Sequence, residues 1–243
     1  MNLLLLEPGE IGPDGTARLT GRRAVHALEV LGAAPGRSVR AGVLGGRLGD
    51  AEVLAAAAGE VVLRPRLDRD PPPPSPVSLL LALPRPKVLR RVLQACAAMG
   101  LKRIVLLGSW RVERSYFGSP FLEPDAVRAE LCLGLEQGRD TALPEVRVRR
   151  LFKPFVEDEL DELFPPQRLL AHPGDLPMLE RVEVRPEPAA LAIGPEGGWT
   201  AYEADALAAR GFARFSLGPR PLRVEAAVAY AVGQLELRLR EAG

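Results

Sequence analysis

Six consecutive residues, Pro71-Pro72-Pro73-Pro74-Ser75-Pro76, hold five prolines, and neither a helix nor an interior strand can be built through them. Proline donates no amide hydrogen and its ring fixes φ, so such a run adopts stiff, extended polyproline II. The segment reads as a semi-rigid linker over 71–76 that separates a first domain at 1–70 from a second at 77–243. In the first segment one helical stretch, Arg22 to Leu31, is followed by short apolar runs at Ser38 to Val43, Ala51 to Leu54 and Glu60 to Leu63, with Gly45-Gly46 and Gly49-Asp50 as turns. Leu3 to Leu6 meets Glu7-Pro8 without a basic flank and is expected as a first strand, not as a signal peptide or membrane span. A small β-rich barrel is the expected outcome.

The second segment alternates differently. Ser78 to Leu83 is a buried-strand candidate, and Lys87 to Met99 a helix whose Leu89, Val92, Leu93 and Cys96 keep helical spacing up to Gly100, a residue suited to a helix C-terminus. The strand Ile104 to Leu107 follows, then helix Pro124 to Gln137, strand Val146 to Val148, helix Phe155 to Phe164 and strand Arg168 to Ala171. Strand Ala189 to Ile193, helix Ala201 to Arg210, strand Phe212 to Leu217 and a last helix from about Leu222 to Arg240 complete the pattern. Strands alternating with helices predict an α/β domain with a mostly parallel sheet.

Charge is balanced overall, at 32 basic against 31 acidic residues, and this argues against blanket attraction to nucleic acid. The local picture differs. Arg85, Lys87, Arg90, Arg91, Lys102, Arg103, Arg111 and Arg114 share their stretch with one acid, Glu113, and 206–224 carries Arg210, Arg214, Arg220 and Arg223 with none. Lys87, Arg90, Arg91 and Gln94 are spaced to form one polar helix face. Two readings stay open here, a solvated face or a polyanion groove. All but three of the basic residues are Arg, which reflects either genome composition or bidentate phosphate recognition. Two cysteines, Cys96 and Cys132, give neither a disulfide framework nor a zinc site, and a reducing cytoplasm fits them. No metal is expected.

Chemistry is expected where strands run into Gly/Pro loops. Ala189 to Ile193 leads directly into Gly194-Pro195-Glu196-Gly197-Gly198-Trp199-Thr200 and then a helix, and in α/β sheets ligands bind at such strand ends. No Lys-Ser/Thr follows, and the glycine spacing is not the dinucleotide fingerprint, so phosphoryl and hydride transfer lose support. Ser216-Leu217-Gly218-Pro219-Arg220-Pro221-Leu222-Arg223-Val224-Glu225 repeats the pattern of strand, Gly-Pro turn and helix. Two such loops after neighbouring strands are able to form one pocket. Trp110 and Trp199 each follow a strand and either stack on a base or pack a wall; Glu196 either meets a ligand or caps the following helix. His26 is expected as a surface or capping residue, and both cysteines as core.

The two loops together resemble the RsmE family, SPOUT-class methyltransferases of uridine N3 in small-subunit (16S) ribosomal RNA. Leu93-Gln94 to Gly100, Glu113-Arg114-Ser115, Glu136-Gln137-Gly138-Arg139 and His172-Pro173 agree with it in order. The resemblance is specific across the second domain and loose in the first, where His26 to Leu31 and the Gly-rich strands imply a PUA-like RNA-binding barrel. It implies a C-terminal SPOUT domain with a deep trefoil knot, a homodimer joined through the last helix, and S-adenosylmethionine bent among three loops. Carried over by position, the cofactor residues are Leu170 and His172; Ile193, Gly194, Pro195, Glu196, Gly197 and Gly198; and Leu217, Gly218, Leu222 and Arg223. Two departures stand out. Val224 and Ala226 flank Glu225 where the family has threonines, and Ala98 replaces a glutamate.

On that resemblance Arg223 is the candidate catalytic residue, its guanidinium stabilising negative charge on the uracil oxygens as N3 loses its proton. Arg85, Lys87, Arg90, Arg91, Arg114 and Arg220 are the candidate RNA contacts. Water or a phosphate is left as proton acceptor. The rival readings are a non-catalytic RNA-binding or ribosome-assembly protein, and a SPOUT enzyme that modifies another RNA position.

Overall fold

Alternation of buried and exposed positions builds the first sheet. In β2 (Ala17–Thr20) Ala17 and Leu19 face inward, and in β4 (Leu48–Ala57) Ala51 and Val53 do the same. The computed structural model describes residues 3–57 and 59–243. β1 (Leu4–Leu6), β3 (Ser38–Val43), β4, β5 (Glu60–Arg69) and β2 form a five-stranded barrel-like sheet in the order β1-β3-β4-β5-β2, antiparallel except for β1 on β3. Helix α1 (Gly21–Glu29) adds Ala24 and Ala27 to the core of Leu4, Leu6, Leu19, Val53, Val61 and Leu63. The strand β2 carries no clear sequence signal, since four residues are too short for alternation to register. β4 and β5 run longer than their apolar runs, carried by pairing that continues through two register shifts.

The chain divides into two compact units, and the first is not contiguous in sequence: residues 97–100 and 131–143 belong with 1–73. Within that unit Thr141, fully buried, donates its hydroxyl to the Gly46 carbonyl at 2.5 Å, and its carbonyl accepts from the Gly45 amide at 2.7 Å. A Cβ on Gly42 would stand 2.6 Å from the Thr141 methyl, so this close approach requires glycine.

In the second unit, six parallel strands make the sheet, in the order β11 (Phe212–Phe215), β9 (Gln167–Ala171), β10 (Ala189–Ile193), β6 (Val77–Ala82), β7 (Arg103–Leu107), β8 (Glu145–Arg149). β9 and β10 are buried at every position, as expected for strands covered by helices on both faces. Helix α2 (Pro86–Ala98) starts on a proline, where the missing amide would be unpaired anyway, and ends before Gly100 at φ +83°. α3 (Pro124–Gly138) follows the same opening rule. The helix expected from Phe155 instead begins at Phe152, because Pro154 is tolerated in a first turn. It comprises α4 (Phe152–Pro154), a π-helical turn (Phe155–Glu159) and α5 (Leu160–Leu163).

Two further boundaries move for visible reasons. β11 stops at Phe215 because the Ser216 amide donates to the Pro177 carbonyl, in a bridge to the long connection before β10. The last helix, α7 (Val224–Glu241), starts after Arg223, which is held extended at φ −67° and ψ 152°. α6 (Ala201–Ala209) is closed by a capping box between Thr200 and Glu203.

Backbone crowding at the end of β7 is directly testable. A Cβ on Gly108 would lie 2.1 Å from the Arg150 carbonyl oxygen, whereas at Gly118 it meets nothing within 4 Å. Gly108→Ala is expected to lower stability in urea unfolding by roughly 1–3 kcal/mol. Gly118→Ala is expected to stay within about 0.5 kcal/mol of the parent.

Candidate functional site

Because all six strands point the same way, their C-terminal ends share one edge, and three of them end in loops that enclose a pocket. Ala171 ends β9 and His172 and Pro173 follow it; Ile193 ends β10 and Gly194, Pro195, Glu196, Gly198 and Trp199 follow it; Ser216, Leu217, Gly218, Arg220, Pro221 and Leu222 follow β11. Val224 and Ala227 of α7 complete the wall. The glycines are structurally required. At Gly194 a Cβ would sit 3.0 Å from the Trp199 amide nitrogen, and Gly198 and Gly218 have φ of +72° and +110°.

Most of the expected cofactor residues meet here. His172, Ile193, Gly194, Pro195, Glu196, Gly198, Leu217, Gly218 and Leu222 line the pocket. Leu170 does not; it is buried within β9. Gly197 turns its carbonyl to Arg111, which donates to it, and is absent from the lining. Arg223 stands exposed at the N-terminus of α7, beside the lining residues Leu222 and Val224, with no ion-pair partner among the described residues. Glu225 pairs with Arg91 at 3.6 Å instead.

The expected RNA-contacting cations are dispersed. Arg220 lines the pocket. Arg85 pairs with Glu196 at 3.8 Å, and its amide also donates to the Glu196 carboxylate at 3.3 Å. Arg90 and Gln94 both donate to Glu130 at 2.5 Å, and the Arg90 guanidinium also lies over the Phe121 ring. Thus the polar face of α2 is largely matched by carboxylates, and only Lys87 on it is exposed without an ion pair among the described residues. Arg114 is likewise exposed and unpaired among them.

Glu196 does not cap α6. That task falls to Thr200 and Glu203, and the further role of Glu203 is not visible in the sequence. Glu203 is 3 % exposed, and its carboxylate accepts from the Thr200 amide and hydroxyl at 2.9 Å each and from the Trp110 amide at 2.8 Å. One buried carboxylate therefore ties the loop after β7 to the loop after β10. The Thr-x-x-Glu spacing signals a capping box, but nothing local announces a third bond 93 residues away. The two tryptophans separate: Trp199 is 2 % exposed and packs the wall, while Trp110 is 86 % exposed. Cys96 is fully buried, its thiol pushed up to about 12 by burial, whereas Cys132 is half-buried. His26 is half-buried, with Nε2 shielded and unpartnered.

The pocket holds two polar atoms without protein partners, the Trp199 Nε1 and His172 Nδ1. His172 is pushed below the ordinary histidine range, first by desolvation and then by the Arg214 and Arg111 charges. It therefore stays neutral in neutral solution. Apolar walls, main-chain loops and unpaired donor or acceptor atoms suit a flat heterocyclic ligand. Among the described residues no group of three metal-ligating side chains occurs, and no helix is long and apolar enough to cross a membrane.

Fold and pocket define an α/β domain with a pocket at the C-terminal edge of its parallel sheet, in a chain that also carries a small barrel-like unit. The sequence profile of the RNA methyltransferase domain matches residues 71–236. The ribosomal RNA small subunit methyltransferase E of Treponema pallidum is 31% identical over 237 residues, 95% of this chain and 89% of that protein. The Neisseria gonorrhoeae ribosomal RNA small subunit methyltransferase E, solved bound to S-adenosyl methionine, superposes with a TM-score of 0.74 at 18% identity, over 98% of this chain and 97% of that one. A Legionella pneumophila methyltransferase structure with bound SAM gives 0.72 at 23% identity, over 98% of both chains. The chain belongs to the RsmE family of RNA methyltransferases.

Two outcomes follow from the site. Glu203→Ala strands the Trp110 and Thr200 amides and removes the side-chain half of the capping box, and is expected to lower stability by roughly 1–3 kcal/mol in thermal or urea unfolding. His172, with its folded value below 6.5, takes up a proton in the unfolded chain first, so its contribution is present above about pH 6.5 and lost as pH falls towards its folded value. Unfolding midpoints measured on acidification through that window are expected to fall less in His172→Gln than in the parent.

Proposed function

We propose that this chain methylates the N3 of a uridine in small-subunit ribosomal RNA, with S-adenosylmethionine as methyl donor. Its family membership and a pocket where three strand-end loops converge carry the reading. The pocket fits this cofactor on its own terms. Ile193, Leu217 and Leu222 supply apolar walls, Gly194 and Gly198 keep the main chain accessible, and the unpartnered Trp199 Nε1 and His172 Nδ1 offer polar contacts. When bound, S-adenosylmethionine supplies a methyl group already activated on a cationic sulfonium.

The protein's share of the work is orientation and electrostatics. The loops hold the ligand while the neutral His172 adds no further positive charge beside a cation. Arg223 is the proposed catalytic residue. Exposed at the pocket's edge and unpaired among the described residues, its guanidinium is available to stabilise negative charge on the uracil oxygens while water or a phosphate takes the N3 proton. Leu170, Gly197 and the remaining loop residues named above support the cofactor cradle from behind. Arg85, Lys87, Arg90, Arg91, Arg114 and Arg220 form the proposed RNA-contacting set, with Lys87, Arg114 and Arg220 the most available, since the other three already meet carboxylates.

The proposal extends to architecture and setting. Insertion of β9 between β11 and β10, with all three following loops on one pocket, supports a deep trefoil knot. Tyr230 and Leu237, large and exposed on α7, support a homodimer built on that helix. The barrel-like unit is the proposed PUA-like RNA-binding part over 1–70, with 71–76 as linker to the SPOUT domain at 77–243, acting in the cytoplasm in ribosome biogenesis.

Isothermal titration is expected to show S-adenosylmethionine binding, and its absence would leave the non-catalytic rival. Methyl transfer to undermodified small-subunit RNA, followed by mass mapping of nucleosides, is expected to yield 3-methyluridine; a 2′-O-methyl product refutes the assignment. Arg223→Ala is expected to slow single-turnover methylation about 10²- to 10³-fold. Replacing Lys87 and Arg220 by Gln is expected to reduce the salt slope of RNA binding by about one for each phosphate that is no longer neutralised.

A further inference from the structure

A second cavity, of about 700 Å³, opens at the C-terminal ends of β7 and β8. Its walls carry four aromatic rings, Trp110, Phe117, Phe152 and Tyr202. Two of them are unusually uncovered for their size in a folded domain, with Trp110 86 % and Tyr202 63 % exposed. Trp110 is nevertheless held in place from behind, because its amide is bonded to the buried Glu203 carboxylate. The Phe152 ring lies 6.0 Å from the Trp199 ring that lines the first pocket, so a wall residue of one space packs beside a wall residue of the other.

The rim is positive. Arg114 is exposed and unpaired among the described residues, Lys153 meets Glu157 only at 3.8 Å, and the Arg150 guanidinium lies 5.6 Å over the Phe117 ring centre. Glu203 is the one carboxylate that lines the cavity, and its oxygens are already used by Thr200 and Trp110. Ser109 lines this space, its hydroxyl shielded from solvent and without a hydrogen-bond partner among the described residues. Uncovered flat rings beside exposed cations and an unused hydroxyl match the parts of an unpaired nucleotide: a stacking base, a phosphate and a hydrogen-bonding edge.

We infer that this cleft seats an unpaired nucleotide of the RNA next to the one modified, its base stacked on Trp110 and its phosphate against Arg114 and Lys153. The inference rests on the reading of the chain as an RNA methyltransferase, and deepens it by assigning a second RNA subsite. Charge complementarity commits the cleft to RNA, because a second copy of this chain or another protein would have to bring both acidic and aromatic groups to it.

The test is fluorescence anisotropy with a labelled single-stranded oligoribonucleotide of mixed sequence, alongside S-adenosylmethionine titration and light scattering on the full chain. Trp110→Ala is expected to weaken RNA binding roughly five- to 150-fold, the effect of losing one base–aromatic stack. Trp110→Phe is expected to restore most of the affinity, and both variants to bind S-adenosylmethionine as the parent does. RNA affinity unchanged in Trp110→Ala would overturn the inference, and so would a changed molecular mass with RNA binding intact, which would make the cleft a protein interface. A parent chain that binds neither RNA nor S-adenosylmethionine would overturn this inference and the enzyme reading together.

Discussion

In a sheet whose six strands all run the same way, every strand delivers its C-terminal end to one edge, and this constraint organises the second unit. Loops separated by more than a hundred residues, such as those after β6 and β11, are brought to one side without any sequence signal joining them. Continuous burial of β9 and β10 makes that edge rigid, so Gly/Pro loops that would otherwise sample many shapes are anchored at both ends. The pocket after β9, β10 and β11 and the aromatic cleft are neighbours because β10 and β7 flank the central strand β6.

Within that edge, polar contacts between loops set the fine geometry. Glu203 caps its own helix and reaches the Trp110 amide, while Glu196 reaches across to Arg85 after β6. Arg111 donates to the Gly197 carbonyl and helps depress His172. Each contact joins loops that follow different strands. Buried charge on Glu203 is tolerable only because three donors converge on it, which is the usual condition for placing a carboxylate out of water.

Charge shows how averages mislead. A chain with nearly equal numbers of acids and bases carries basic stretches, yet their placement, not their density, decides what they do. Arg90 and Arg91 share the spacing of an open cationic face on α2, but Glu130 and Glu225 meet them. Lys87, Arg114 and Arg220 emerge as the available ones among the described residues. Nothing in helical spacing distinguishes them, because their availability depends on which carboxylates other elements bring close.

Periodicity and proline placement made much of the fold legible: the strand at 189–193 and the helices before Gly100 and after Thr200 lie within a residue or so of where the pattern puts them. Those elements depend on local chemistry, on burial of an unbroken apolar run, a missing amide or a left-handed glycine. The Gly194 to Gly198 and Gly218-Pro219 loops were legible as ligand-binding candidates for the same reason. Only the tertiary structure decided the strand order, which residues of those loops line a space, which of two tryptophans is buried, and the bond from Glu203 to Trp110. Such facts arise between segments distant in sequence, where packing, and not local propensity, selects the partner.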